Sequence, residues 1–299
     1  MAVVLVLFGA IGNALALVLQ RKAAQDSARR RGRAAGSLRD MVHRPAWLGG
    51  TAIFAVALTL QALALSQGSV ALVQPVLVME LPFTLLLGWW ILGGPLRGYE
   101  WFCVATLAVG LVILLASLRP HGGAALETST VVWVLGTVVT LTAVGLAVYA
   151  GRRSGPVGRA GLYGVAAGIG SGFVAVIVKA MADALERGGL ADVVGTWQTY
   201  LLLPVAPIAF ITLQNALRAG RLLASQPGLT LGNPLLASLW GVGILGEEVS
   251  GGFALLGGLL GAVLLSAGVV LLSRSPLLAA QEGAVAGAAS TRRRTPRVV

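Results

Sequence analysis

From residue 46 to residue 92 the chain reads "AWLGGTAIFAVALTLQALALSQGSVALVQPVLVMELPFTLLLGWWIL" and carries one charged side chain, Glu80. A bilayer takes up about 20 apolar residues per helix, so this run uses up two spans, joined by a tight turn at Gly68. The same criterion predicts nine spans in all, at about 2–20, 46–66, 69–92, 101–118, 130–150, 162–183, 197–217, 222–245 and 252–273. Charged residues make up 11% of the chain, against roughly 25% in a soluble protein. The expected fold class is an all-α integral membrane protein.

Basic residues orient the spans. With the N-terminus outside, the cytoplasmic segments hold 19 of the 22 Lys and Arg residues, including "RRRGR" at 29–33 and "RRR" at 292–294. Arg119 and Arg187 fall outside and Lys179 lies within a span. Cytoplasmic loops carry such an excess, and the C-terminus is then cytoplasmic. The first apolar run has no basic stretch before it and is followed by Arg21 and Lys22, as in a retained first helix rather than a cleaved leader. The net charge of +11 sits between apolar runs, which favours cytoplasmic loops near anionic lipid headgroups over nucleic acid. Cys103 is alone and inside an apolar run, and His43 and His121 fall in loops on opposite sides. No disulfide, cysteine metal site or cofactor is called for. The expected location is the cell membrane.

A repeat organises the chain. "QPVLVMELP" at 74–82 and "QPGLTLGNP" at 226–234 both read Gln-Pro, six residues, Pro, at an offset of 152. The same offset pairs Ala64-Leu65 with Ala216-Leu217, Gly68 with Gly220 and Gly94 with Gly246. The two Gln-Pro segments are the third and eighth spans, so they run in opposite directions, as in an inverted-topology repeat. The expected division is a first half at 1–118 with four helices, a second half at 119–273 with five, and a basic tail at 274–299, expected to be disordered. Pro75, Pro82, Pro227 and Pro234 each remove a backbone donor and free a carbonyl. In lipid such groups need a neighbouring helix, a polar side chain or cavity water, so the paired breaks point to a cavity between the halves. Ordinary kinks that shape packing are the plainer alternative. Pro204 and Pro207 make a third interrupted segment.

These features resemble the drug/metabolite transporter (EamA-like) superfamily, whose halves end in a proline-bearing helix, a short Gly-Glu joint and a glycine-rich closing helix. "GILGEEVSGGFALLGGLLGAVLLSAGVVLL" at 243–272 is similar to that ending. Within the superfamily the chain is most similar to the NIPA-like magnesium-transporter branch, through the "LQRKA" that ends the first helix, "RPAWLGG", "ALSQGSVALVQP" and "GSGFVAVIVKA". The resemblance implies a transporter, and its branch implies magnesium. Glu80 falls on no motif acid of that branch.

An ionisable residue at bilayer depth is a functional hypothesis by default. Glu80 lies near the midplane, where a carboxylate able to exchange a proton for a cationic substrate is one reading, and a protonated acid bonded to a freed carbonyl near Pro82 is the other. The repeat sets Gly232 opposite it, so the site is asymmetric. Lys179 either snorkels outward and pairs with Asp183 four residues on or faces the cavity and neutralises Glu80 or a substrate anion. Gly164, Gly168 and Gly172 give the same helix a smooth packing face. Asn13, Gln61, Gln74, Gln214, Asn215, Gln226 and Asn233 complete the buried polar set; Gln74 and Gln226 hold equivalent repeat positions, and Gln226 and Asn233 share a helix face. Glu247 and Glu248 read as solvated acids of an outer loop, although Glu247 falls on the Gly-Glu joint.

The leading expectation is a secondary transporter working by alternating access, with a small-molecule or ion substrate, the bilayer as partner, and a homodimer allowed. A magnesium or other divalent-cation permease is the alternative, although a hard cation wants several oxygen ligands. An integral-membrane enzyme would need clustered acids, histidines or a nucleophile–base set, and none recurs on the spans. A purely structural membrane protein accounts for the glycines but not for the paired breaks or Glu80.

Overall fold

A backbone that must satisfy its own hydrogen bonds in oil is confined to helices or closed barrels. The computed structural model describes residues 1–30, 45–92, 98–218 and 222–274, and nearly all of them are helical. In chain order the elements are α1 (Ala2–Arg30), α2 (Pro45–Gln67), α3 (Val70–Leu77), α4 (Glu80–Leu92), α5 (Gly98–Leu118), β1 (His121–Gly122), α6 (Thr130–Arg153), α7 (Pro156–Gly195), α8 (Trp197–Arg218), α9 (Leu222–Gly243), β2 (Glu247–Glu248) and α10 (Phe253–Ser273). Among the described residues eight segments are long and apolar enough to cross a bilayer, α3 and α4 counting together. Helix α9 is not among them; it carries Gln226, Asn233 and two prolines. Large apolar side chains cover the outside, Trp90 76% and Phe253 91% exposed, a surface that water does not tolerate over so wide an area. The chain is an all-α, multi-pass membrane protein. The tail from 275 and residues 31–33 of the first basic run lie outside the described residues.

The expected spans correspond to helices, with three differences. The third span is broken: α3 ends at Leu77 and α4 starts at Glu80. Pro82 has no N–H to offer the Val78 carbonyl, which accepts from Leu81 N instead, at 3.1 Å, and the chain tightens through the joint. By contrast α8 stays helical through Pro204 and Pro207, and α9 through Pro227 and Pro234. The expected interruptions at Pro204 and Pro207 and at Pro227 and Pro234 are therefore not breaks, and Pro75 too lies within a helix. The sixth span is longer than expected, α7 running on until Gly188 and Gly189, the latter at φ 71, interrupt it.

Packing recurs along the chain. Helix α1 lies on α2 where a Cβ on Gly12 would stand 3.0 Å from the Cβ of Ala57, and α7 lies on α8 where one on Gly170 would stand 3.1 Å from the Cβ of Ala209. Ala57 and Ala209 are separated by the offset of 152 that relates the Gln-Pro segments. Helices α5 and α10 cross antiparallel with no side chain between their backbones. A Cβ on Gly110 would lie 2.6 Å from Leu265 N and 3.0 Å from the Gly261 carbonyl; one on Gly261 would lie 2.7 Å from Leu114 Cα and 2.8 Å from the Gly110 carbonyl. The contact is thus reciprocal, each glycine seated on the other helix's backbone. The expected smooth face of α7 meets α9: a Cβ on Gly164 would be 2.9 Å from Ser225 Cα, one on Gly168 2.6 Å from the Gly228 carbonyl, and one on Gly172 2.6 Å from the Asn233 carbonyl.

One end of the bundle gathers the joints. Antiparallel β1 and β2 pair His121 with Glu248 and Gly122 with Glu247, Ser250 N donates to the Leu118 carbonyl at 2.8 Å, and Trp133 meets Trp197 edge-on with ring centres 6.1 Å apart. At the other end Tyr99 Oη donates to the Leu271 carbonyl at 2.8 Å.

Candidate functional site

Proline at position 75 cannot donate to the Ala71 carbonyl one turn back. That side of α3 lines a cavity of about 330 Å³. Ala71 and Pro75 form one wall, Leu231, Pro234, Ser238 and Val242 of α9 face them, and α5 and α10 flank them through Leu114, Leu118, Leu265 and Ser266; on one side the cavity is open, past the exposed Leu235, Leu255 and Leu259. Pro120 and Val249, which flank the ribbon, line its end. The two prolines at the cavity are the first of one Gln-Pro segment and the second of the other, so the walls do not match residue for residue. Pro227 and Pro82 are not among the lining residues. The lining is aliphatic apart from the hydroxyls of Ser238 and Ser266.

Glu80 opens α4, directly after the break, and does not line this cavity. It faces α1, where Asn13 Nδ2 donates to Glu80 Oε2 at 3.2 Å. Thr84, one turn on and on the same face of α4, has a buried hydroxyl with no partner among the described residues, and so does the Asn13 Oδ1. The Glu80 carboxyl and the Asn13 amide therefore meet between α1 and α4, with the Thr84 hydroxyl one turn along the same face of α4. Sequence reasoning missed Thr84, because a threonine in an apolar helix ordinarily bonds its own preceding turn.

The other candidates are dispersed. Gln74 is 1% exposed and neither end of its amide has a partner among the described residues. Asn233 Oδ1 is likewise buried and unpartnered. Gln226, Gln61 and Gln214 are half-buried, so the equivalent positions 74 and 226 have different surroundings. Lys179 does not reach Glu80. Its Nζ lies 2.8 Å from Asp183 Oδ1, and the pair is enclosed rather than extended to the surface. Asp183 Oδ2 accepts in turn from Ala125 N at 3.1 Å, and the Ala125 carbonyl accepts from Trp133 Nε1 at 2.9 Å.

Glu247 corrects the sequence reading. It was expected in solvent beside Glu248, yet it is 3% exposed. Its carboxylate accepts from the backbone N–H of Val70 and, at 2.8 Å, from that of Ala71. These are the first two residues of α3, where unpaired amides and the helix dipole favour an anion. Burial pushes the Glu247 carboxyl above the usual carboxylate range, against the opposing pull of the Ala71 and Val70 amides and of Lys179. Glu248 stays exposed, 3.4 Å from His121 Nε2. The one hint in the sequence was the Gly-Glu joint itself.

No family model matches the chain. No solved structure matches it either. An uncharacterized protein of Corynebacterium glutamicum is 34% identical over 209 residues, covering 68% of this chain and 70% of the relative. With that identity over more than two thirds of both, the chain belongs to the same family as the Corynebacterium glutamicum protein.

Proposed function

We propose that this protein is a secondary transporter of the cell membrane that moves a small organic solute by alternating access, coupled to protons through Glu80. The observation that carries the reading is the cavity between α3 and α9, two proline-bearing helices at equivalent places in the repeat. A binding site between proline-bearing helices of inverted repeats suits alternating access, and the reciprocal α5–α10 crossing supports such a relation between halves. In this reading nine spans cross the membrane, α9 among them, with the N-terminus outside and the ribbon end facing out. The aliphatic lining with two hydroxyls suits a solute with a substantial apolar part, since desolvating a bare ion there would go uncompensated.

A second reading keeps a cation as the substrate, as in the magnesium-transporter branch the sequence resembles. The Glu80 carboxyl and the Asn13 amide that meets it favour it, although a divalent ion would need several further ligands. Purified protein in liposomes, screened across organic solutes and cations with and without a pH gradient, separates the two. The proposal expects organic-solute flux that rises when a pH gradient is imposed. Flux of magnesium alone, indifferent to pH, would instead establish the cation reading, and no flux of either kind would end both.

Topology has its own test. In a Cys103→Ala background, single cysteines at Gly32, Gly155 and Thr295 are expected to react only with reagent on the cytoplasmic side. Cysteines at Gly122 and Gly189 should react only from outside. The motive is the uneven distribution of basic residues, and external labelling at Gly32 would overturn the nine-span orientation.

A further inference from the structure

Glu247 ties together parts of the chain that lie far apart in sequence. Its carboxylate holds the amides of Val70 and Ala71, 177 and 176 positions away. Its backbone is paired with Gly122 in the ribbon. Gly241 of α9 leaves room for the carboxyl group, for a Cβ there would stand 2.6 Å from Glu247 Cδ, and Gly123 leaves room for its Cγ. Ala71 links this contact to the cavity, because the residue whose N–H grips Glu247 also lines the cavity wall, and Pro120 and Val249 on either side of the ribbon line the same end. The start of α3, the ribbon and the end of α9 therefore meet directly over the cavity, and one side chain holds them.

We propose that Glu247 is the outer gate of the cavity: its carboxyl fastens the start of α3 to the β1–β2 ribbon while the cavity is shut to the outside, and releases it when the cavity opens. This rests on the transport reading above. The contact suits a gate because both of its states are satisfied. Shut, the carboxyl and the two amides serve each other; open to the outside, water serves all three. A contact of the same kind deeper in the bilayer would have no such second state.

The direction of its pH dependence follows from burial. Shut, the Glu247 carboxyl is raised above the ordinary range by desolvation; open, it is solvated and returns toward the ordinary carboxylate range. The state with the higher proton affinity is the shut one, so acid favours closure, and opening is favoured as pH rises through the shut-state value. Other charged groups face this region. Helix α7 brings Lys179 and Asp183, and the ribbon brings Glu248 with His121, whereas α3 and α9 present backbone at Val70, Ala71 and Gly241. His121, beside Glu248, needs its own control.

The test is the rate at which Ser238→Cys, in a Cys103→Ala background, reacts with a membrane-impermeant thiol reagent from outside. Rates are taken between about pH 5 and about pH 8 and corrected for thiol ionisation with a free cysteine peptide. The corrected rate is expected to rise with pH. Glu247→Ala, which leaves two α3 amides without their acceptor, should raise the rate at the acid end about tenfold and flatten the profile. Glu247→Gln, which keeps the volume but cannot titrate, should flatten it as well, and serves where the alanine protein does not assemble. A flat profile in the otherwise native protein overturns the gate. So do unchanged rates in either Glu247 variant, or a pH dependence that vanishes with His121→Gln while surviving Glu247→Gln. Labelling needs no transported solute. A working gate without any transport would therefore sink the transporter reading, whereas transport with labelling indifferent to Glu247 would sink the gate alone.

Discussion

Glu80→Gln protein is expected to insert and purify like its parent, while its proton-driven uptake falls to the level of empty liposomes. The substitution isolates titration from structure. Asn13 Nδ2 donates to a Glu80 oxygen, and a glutamine presents an amide oxygen of the same reach to receive it, so the α1–α4 contact survives. What is lost is the ability to take and give up a proton, in a place where a charged side chain is retained only at considerable cost. Glu80→Asp should keep part of the activity with a displaced pH profile, because the carboxyl withdraws by about one methylene from Asn13. Thr84→Val, which removes a hydroxyl without a described partner, should leave assembly intact, and it changes coupling only where that oxygen belongs to the site. Proton-dependent uptake by Glu80→Gln at the parental rate, measured with any solute that the liposome screen identifies, would reduce Glu80 to a buried hydrogen-bonding group.

The second large effect concerns assembly. Gly168→Leu is expected to yield little monodisperse protein, and what purifies should melt several degrees lower. The three nearest atoms that a Cβ at 168 would meet are all backbone: the carbonyls of Gly228 and Leu229 at 2.6 and 2.8 Å and the Cα of Gly232 at 2.9 Å. No rotamer change relieves such a collision, so α7 and α9 must separate along their length. Overpacking in a core usually costs about 1–3 kcal/mol, and displacing a whole helix belongs at the upper end or beyond. Gly145→Leu is the matched control, since a Cβ there meets nothing within 4 Å. Equal melting temperatures for the two variants would show that the α7–α9 approach does not hold the bundle together.

How much of this was legible in the sequence depended on the range of the interaction. The helices were readable because each is set by its own residues: length in oil, a charged end, a glycine joint such as Gly68. Even so, α1 continues to Arg30, about ten residues past the expected end, because leaving the apolar layer ends the hydropathy signal but not the helix. The packing face of Gly164, Gly168 and Gly172 was also readable, since spacing alone puts the three on one side. The Lys179–Asp183 pair was one of two open readings, and i,i+4 spacing supplied it. Glu247 was not readable. Beside Glu248 in a glycine-rich joint it has the local character of a solvated acid, and its burial comes from residues 70 and 71 and from a helix end that the sequence does not mark as a neighbour. The repeat was readable as a pattern but misleading in detail. It assigns Gln74 and Gln226 equal surroundings, whereas only Gln74 is fully enclosed.

The crossing of α5 and α10 restricts which motions the molecule has available. Where Gly110 and Gly261 rest backbone on backbone, there are no side-chain rotamers to reshuffle, and translation of one helix along the other would drive Leu114 or Leu265 into the space that only a glycine leaves open. Close contacts continue on both sides of the crossing, Gly268 against Leu107 and Gly258 against Leu118, so sliding is blocked and the pair is held as one unit. Under alternating access the two helices would move as one body. Spin labels flanking the crossing are then expected to keep their separation through the transport cycle, while labels at the ribbon and at the opposite end of the bundle change theirs in opposite senses.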